Sequence, residues 1–265
     1  MSNKEQSPAD PAVIFGDLRA SLAFLTRLPA GWLGVAADEV PNFKRAAGLF
    51  PLAGALVGLA GGAVLVVAVA IGVPPLAAAT LAVIATVALT GGLHEDGLAD
   101  MADSLGGATR EKRLAILDDS RLGTFGVTAL ALTLILRVAC LSAIAGHGAW
   151  RAALVLIVAE GASRAALVSM WHALPPARAS GLAHDTGPPD TRAMTVALAL
   201  AGALALAAIP VVGAFAALLA AVFAALAAYM VERLSVRAIG GRTGDTLGAC
   251  QQLVLAAYLV GAATL

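Results

Sequence analysis

The sequence predicts an all-α protein: a polytopic helical bundle integral to a membrane, with about seven transmembrane helices and a cytoplasmic N-terminus. Three observations predict it. Hydrophobic residues make up 60% of the 265-residue chain and mean hydropathy is +0.88, far above the values of water-soluble domains. The apolar residues fall into runs near 48–72, 75–92, 124–146, 149–172, 193–209, 211–231 and 247–265, each of a length that crosses a bilayer, roughly 17–25 residues. Alanine and glycine dominate these runs, with 28 glycines in the chain, the composition of membrane helices that pack closely through small residues.

Taken in order, residues 12–33 mix apolar positions with Asp17, Arg19 and Arg27, the pattern of an amphipathic helix lying at the membrane interface. The charges of the first thirty residues leave no clean apolar core, so no cleaved signal peptide is predicted. Pro74-Pro75, Gly146 to Gly148 and Pro210 read as tight hairpin breaks between runs. The connections 93–123, 173–192 and 232–246 are longer and charged. With strict alternation they share one side with the N-terminus, and that side holds 14 of the 17 Lys and Arg residues. Positive residues mark the cytoplasmic side, so the topology is N-in, C-out.

The chain reads as one domain over 1–265, without internal repeats. Its net charge is zero and it has no run of like charge, which leaves no basic field for nucleic acid. The lipid bilayer is the expected macromolecular partner, and the sequence is compatible with an oligomer. Cys140 and Cys250 both fall in apolar runs and read as small core residues rather than a disulfide or metal pair.

Chemistry concentrates in the 93–123 connection, an expected cytoplasmic active-site loop. It opens with Gly91-Gly92-Leu93-His94-Glu95-Asp96-Gly97-Leu98-Ala99-Asp100-Met101-Ala102-Asp103. A carboxylate beside hydrocarbon costs several kcal/mol, on the order of 3, unless paired, hydrated or bound to metal. Asp96, Asp100 and Asp103 stand at i, i+4 and i+7, so on a helix they project within a sector roughly 60° wide. A hard divalent cation, Mg²⁺ or Mn²⁺, relieves such repulsion through oxygen ligands. His94 beside them is a candidate general base or proton relay, or a structural histidine.

Asp118-Asp119-Ser120-Arg121-Leu122-Gly123-Thr124-Phe125-Gly126 closes the same connection. Arg121 can clamp a phosphate, and Gly123 and Gly126 let backbone approach one at a helix N-terminus; a capped helix start explains the same residues. Glu160 and Arg164, at i and i+4, read first as a buried ion pair, with Arg137 sharing the pocket and a substrate role open to Arg164. The turn Gly240-Gly241-Arg242-Thr243-Gly244-Asp245-Thr246-Leu247-Gly248 feeds the last run; Asp245 and Thr246 suit a phosphate or metal contact there, or a helix cap. The 172–190 segment, with His172, Arg178, His184 and Asp185, reads as a solvated connector.

Together these blocks resemble the adenosylcobinamide-GDP ribazoletransferase family, also called cobalamin-5'-phosphate synthase. The resemblance rests on Phe50-Pro51 with Gly54 and Gly58, on Gly91 to Asp100, on Asp119-Ser120-Arg121-Leu122-Gly123-Thr124 with Gly126, and on Gly244-Asp245-Thr246-Leu247-Gly248-Ala249. It implies a Mg²⁺-dependent enzyme of the bacterial inner membrane, its site facing the cytoplasm. That enzyme joins adenosylcobinamide-GDP to α-ribazole or its 5'-phosphate and releases GMP, completing the nucleotide loop of vitamin B12. The expected metal ligands are Asp96, Asp100, Asp103 and Asp119; the expected catalytic residues are His94, Asp96 and Arg121. Glu95, Ser120, Arg121, Gly123, Arg164, Asp245 and Thr246 are the expected substrate contacts. Asp118 departs from the family pattern, where a basic residue often stands.

Two other readings compete. A CDP-alcohol phosphotransferase also sets spaced aspartates on membrane helices, but its Asp-Gly-x-x-Ala-Arg pattern is interrupted here by Asp100-Met101. A cation-coupled transporter requires midplane carboxylates and paired broken repeats, whereas 16 of the 17 acids lie on the cytoplasmic side and only Glu160 is deep.

Overall fold

The computed structural model describes residues 10–36, 42–119, 121–178 and 187–264. Among the described residues regular structure is helical: α1 (Pro11–Leu25), α2 (Phe43–Ala46) running through a 3₁₀ turn into α3 (Phe50–Ala70), α4 (Pro75–Thr90), α5 (Leu93–Ser104), α6 (Arg110–Leu117), α7 (Thr124–Gly146), α8 (Ala149–Ala173), α9 (Thr191–Val212), α10 (Ala214–Ile239) and α11 (Gly244–Ala262).

The helix expected over 12–33 stops at Leu25. The Thr26 hydroxyl turns back to donate to the Leu22 carbonyl at 2.6 Å, and Pro29 has no N–H with which to continue a helix. Ala30–Leu33 forms only a 3₁₀ turn. The buried face of α1 carries Asp17, which accepts a hydrogen bond from Arg45 Nη2 at 2.9 Å.

Among the described residues, five helical segments are long and apolar enough to cross a membrane: Phe43–Ala70, Thr124–Gly146, Ala149–Ala173, Thr191–Val212 and Ala214–Ile239. Against the expected seven, length and composition alone pick out these five. α4 alone is 16 residues, and with α5 it forms at most a sixth span bent by 90°. The last expected span, α11, carries Asp245, Gln251 and Gln252 and is the interior of the bundle, with 14 of its 19 residues buried. The break between the ninth and tenth helices falls at Gly213, φ +90°, while Pro210 is accommodated within the last turn of α9. The 93–123 connection, expected as a loop, is mostly α5 and α6.

α3 packs along α8, and α11 lies between α10, α5 and α8. The first two pack backbone to backbone: a methyl group on Gly58 would stand 2.7 Å from the Ile157 Cα, and one on Gly54 would overlap the Glu160 carbonyl. That is the physical content of the Phe50-Pro51/Gly54/Gly58 block, the small-residue mode of membrane helix packing. Outward faces of α7, α9 and α10 expose Leu132, Ile135, Leu206, Phe215 and Leu218, a surface suited to lipid.

Candidate active site

The site begins where α4 ends. Gly91 and Gly92 both take left-handed backbone, φ +66° and +71°, which other residues adopt only at a cost of roughly 1–2 kcal/mol each. The Arg27 side chain covers Gly91, and the Arg27 N–H donates to the Leu89 carbonyl at 2.7 Å. This turn sets α5 perpendicular to α4, across the end of the bundle. On α5, Leu98 and Met101 pack inward with Ala249, His94 and Glu95 are buried, Asp96 is exposed, and Asp100 and Asp103 are half-buried.

The N-terminal turn of α11 crosses α5 with no side chains between them. A methyl group on Gly97 would lie 2.8 Å from the Asp245 carbonyl, and one on Gly248 would lie 3.2 Å from the His94 carbonyl. The second and fourth sequence blocks therefore meet at one point. Gly97→Ala is expected to destabilise the protein by about 1–3 kcal/mol, the usual cost of overpacking, whereas Gly244→Ala, with open space around it, leaves thermal unfolding unchanged. Equal melting curves for the two variants would contradict a close crossing.

A cavity of about 350 Å³ opens at this crossing. α1 supplies Phe24 and Leu25, α3 supplies Phe50, and α8 supplies Leu167 and Trp171; His94, Asp96, Gly97, Thr243, Asp245, Arg178 and Arg242 form its polar side. Of the expected site residues, the structure brings His94, Asp96 and Asp245 onto this wall. The ring of His94 makes no hydrogen bond among the described residues. Burial, and then Arg164 and Arg137 nearby, hold its pKa well below the usual histidine value. It is a neutral acceptor at physiological pH. Asp100 is pushed up to about 6, first by burial and then by the charges of Asp96, Asp245 and Asp103. None of these four carboxylates has an ion-pair partner among the described residues.

Other expected site residues have different work. Asp103 caps α7, its two oxygens accepting from the Gly123 N–H at 2.7 Å and the Gly126 N–H at 2.9 Å, so the Gly123 amide is already engaged. Thr246 is fully buried in a capping box: its hydroxyl accepts from the Thr243 N–H at 2.9 Å. A cap and an anion contact carry the same sequence signature. Asp119 and Arg121 pair with each other at the surface, Nη2 to Oδ2 2.6 Å, and Arg121 holds Asp119 down to about 2. Neither lines the cavity. Ser120 lies outside the described residues, as do His184 and Asp185.

Glu95 and Arg164 sit in a buried polar network rather than on the cavity wall. Arg137 Nη1 donates to Glu95 Oε1 and to Gln252 Oε1, both at 3.0 Å; Arg137 Nη2 donates to Thr86 at 3.2 Å and lies 3.8 Å from Glu160 Oε1. Arg164 pairs with Glu160 as the spacing predicts. Gln251 reaches Ser163 at 3.0 Å.

Arg178 was missed, read as part of a solvated connector. The backbone after α8 is strapped to the turn before α11, Ala177 N–H to the Arg242 carbonyl at 2.8 Å and Arg242 N–H to the Pro175 carbonyl at 2.9 Å. That strap carries Arg178 to the cavity, where it pairs with Asp118. The departure of Asp118 from the family pattern was the available signal, since an extra acid calls for a cation. Trp171 was hidden inside an apolar run.

As chemistry, the arrangement combines unpaired carboxylates, a neutral imidazole and a guanidinium around a cavity with one apolar wall. Among the described residues no three His, Cys, Asp or Glu side chains are already gathered to hold a metal ion. The donor type nevertheless fits a hard cation: Asp96, Asp100 and Asp245 offer carboxylate oxygens with no ion-pair partner among the described residues.

Fold and site together define a multi-pass helical membrane protein built as an enzyme, with a cavity whose polar side carries both acids and arginines. The chain belongs to the cobalamin-5-phosphate synthase family, whose model matches residues 17–263. It is 48% identical over 253 residues to the adenosylcobinamide-GDP ribazoletransferase of Azorhizobium caulinodans, covering 94% of this chain and 95% of that one. It is 45% identical over 253 residues to the enzymes of the same name from Brucella melitensis and Brucella ovis, covering 94% of this chain and 96% of each. No solved structure matches. Family membership leaves the CDP-alcohol phosphotransferase and transporter readings without support.

Proposed function

We propose that this chain joins adenosylcobinamide-GDP to α-ribazole or its 5'-phosphate, giving adenosylcobalamin or its 5'-phosphate and GMP. The observation that carries the reading is the meeting of Asp96 of α5 with Asp245 of α11 on the wall of one cavity, where the two helices cross in close contact. A product that keeps the 5'-phosphate requires attack by another ribose hydroxyl. That oxygen bonds to the cobinamide phosphorus, the P–O bond to GMP breaks, and the hydroxyl proton leaves through its hydrogen bond to His94, a neutral acceptor. Arg178 carries positive charge to the cavity mouth for the diphosphate oxygens. Asp96, Asp100 and Asp245 would hold Mg²⁺, or Mn²⁺. The ion supplies a Lewis acid for charge developing on the departing GMP. The distribution of Lys and Arg supports a cytoplasmic N-terminus and a cytoplasmic site in the bacterial inner membrane.

The deciding experiment is GMP release by the purified full-length protein in detergent, given adenosylcobinamide-GDP, α-ribazole and Mg²⁺. Release with a corrinoid product, lost on chelation, is expected; folded protein that releases no GMP would overturn the reading. The acid cluster adds a pH dependence. A carboxyl must lose its proton to bind a cation, so Mg²⁺ affinity is expected to fall about tenfold per pH unit below about 6, where Asp100 protonates, and to be insensitive to this group above pH 7. Mg²⁺-dependent shifts in Tm at pH 5.0 and 7.5 measure it; identical titrations would remove Asp100 from the ligand set.

A further inference from the structure

A second cavity, of about 830 Å³, shares no residue with the first. α7 and α10 both pack on α11 and leave a groove between them: Leu132 and Leu136 form one wall, Leu226 and Met230 the other, and Leu253 and Val260 the floor. One end of this apolar groove is cationic. Arg233 and Arg237 complete its lining, one helical turn apart on α10, and both are exposed. Neither has an ion-pair partner among the described residues, and Glu232, next in sequence, is half-buried and outside the lining. Like charges at i and i+4 repel, so the pair calls for an anion from outside the chain. Tyr229, one turn before, has the Arg233 guanidinium 5.9 Å from its ring centroid, which holds that cation at the edge of the groove.

From this we infer that the groove is the binding site of one anionic glycerophospholipid, its acyl chain lying between α7 and α10 and its phosphate held by Arg233 and Arg237. Depth and charge select that occupant. A helix entering the hydrocarbon at Ala214 reaches Arg233 after about 29 Å and Arg237 after about 35 Å, against a hydrocarbon thickness of roughly 30 Å. The arginines then stand at the level of lipid phosphates, with Tyr229 just inside them, where interfacial aromatics gather. From Arg233 to Phe223, the deepest α10 residue of the lining, the helix falls about 15 Å, half of that thickness. The groove is as deep as one leaflet, which is the reach of a lipid chain. A helix of a second copy would follow the full thickness of the bilayer rather than stop at its middle. A zwitterionic lipid fills the apolar part equally well but brings its own cation to the arginines, whereas an anionic one leaves its phosphate oxygens free for the guanidinium forks. The same end of α10 leads through Gly240 to Asp245, so the lipid belongs to the leaflet on the active-site side. Its floor is the helix that carries Asp245 and Gln252, and a seated lipid braces that helix. The site goes beyond the reaction proposed above and does not depend on it.

The test uses the full-length protein, delipidated in a neutral detergent and titrated with phosphatidylglycerol or with phosphatidylcholine of the same chains. Lipid retained in native mass spectrometry and the shift in Tm are the two readouts. Wild type is expected to prefer phosphatidylglycerol about thirtyfold, each basic residue near the anion contributing about fivefold. Arg233→Gln/Arg237→Gln, changed only at exposed positions, is expected to bind both lipids alike. Ala227→Trp fills the groove while keeping the arginines, and is expected to abolish retention of phosphatidylglycerol. Phe215→Trp, on the same helix but outside the groove, is expected to bind as wild type does. Glycerol 3-phosphate, which has the charge without the chains, is expected to give no shift in Tm at the same concentration. Equal binding of the two lipids by wild type, a preference that survives in the double arginine variant, or a Tm shift reproduced by glycerol 3-phosphate would overturn the site. So would a dimer that excludes lipid and is lost in Ala227→Trp, since a second copy would then fill the groove. Both readouts count lipid whether or not the protein releases GMP, so a failure of the proposed reaction and a failure of this site are told apart.

Discussion

Asp245→Asn is expected to lower GMP release by about 10²–10³-fold, the loss typical of removing one electrostatic group aimed at a transition state, while leaving the metal-free protein as stable as wild type. The two effects separate because Asp245 has no ion-pair partner among the described residues. Its carboxylate adds to the field that raises Asp100, so replacing it relieves repulsion. Against that, an acid in the first turn of α11 favours the helix by about 0.3–1 kcal/mol. The opposing terms nearly cancel, and asparagine still offers an oxygen to the Thr243 hydroxyl, which donates to Asp245 Oδ2 at 3.1 Å. GMP release with saturating Mg²⁺, beside thermal unfolding in chelator, makes the comparison. A large fall in Tm with activity scaling to the folded fraction would make Asp245 a structural residue.

Arg137→Ala is expected to act in the opposite way, costing about 3–5 kcal/mol of stability, the penalty for stranding a buried charge. Arg137 is 1% exposed. Its loss leaves Glu95 with only Gln252, 3.0 Å away, and Glu95 Oε2 has no partner even in the intact network. A cost of that size is a large part of the total stability of a folded protein. Neutralising the stranded acid in Arg137→Ala/Glu95→Gln is expected to restore more than half of the loss. Thermal melts of the three proteins in one detergent measure it, and a wild-type melt for Arg137→Ala would show the network to be dispensable. Glu95 follows His94 and precedes Asp96 on α5, so this network is also what holds the cavity floor to α7 and α11.

Helices were legible where apolar length alone decided the matter, as in α3, α7, α8, α9 and α10. α11 was legible as a helix but not as the most buried one, since Asp245, Gln251 and Gln252 mark a helix surrounded by other helices rather than by lipid. The bend before α5 was visible only as Gly91-Gly92, and nothing in a pair of glycines states an angle. In the site, Asp96, Asp245 and His94 were readable because acids and histidine beside apolar runs demand an explanation. For Asp103, Gly123 and Thr246 the helix-end contacts were not legible, since the same oxygen or amide serves a helix end or a substrate until the partner is seen. Arg178 depends on a backbone strap joining residues more than sixty positions apart, a contact that no local pattern announces, and Trp171 lay hidden in the apolar run of α8.

The 90° turn at Gly91-Gly92 follows a helix of only 16 residues. At 1.5 Å per residue α4 rises about 24 Å, roughly 6 Å less than the hydrocarbon thickness of a typical bilayer. A helix of that length entering at one boundary of the hydrocarbon ends short of the other, and the bend lays α5 across its end as a floor with Asp96 and Asp100 on it. Such a hydrophobic mismatch is met by local thinning of the bilayer or by water drawn down over the floor. Carboxylates set at such a boundary are reachable from water while their surroundings are poorly polarisable, which strengthens the field they exert on any charged group beside them.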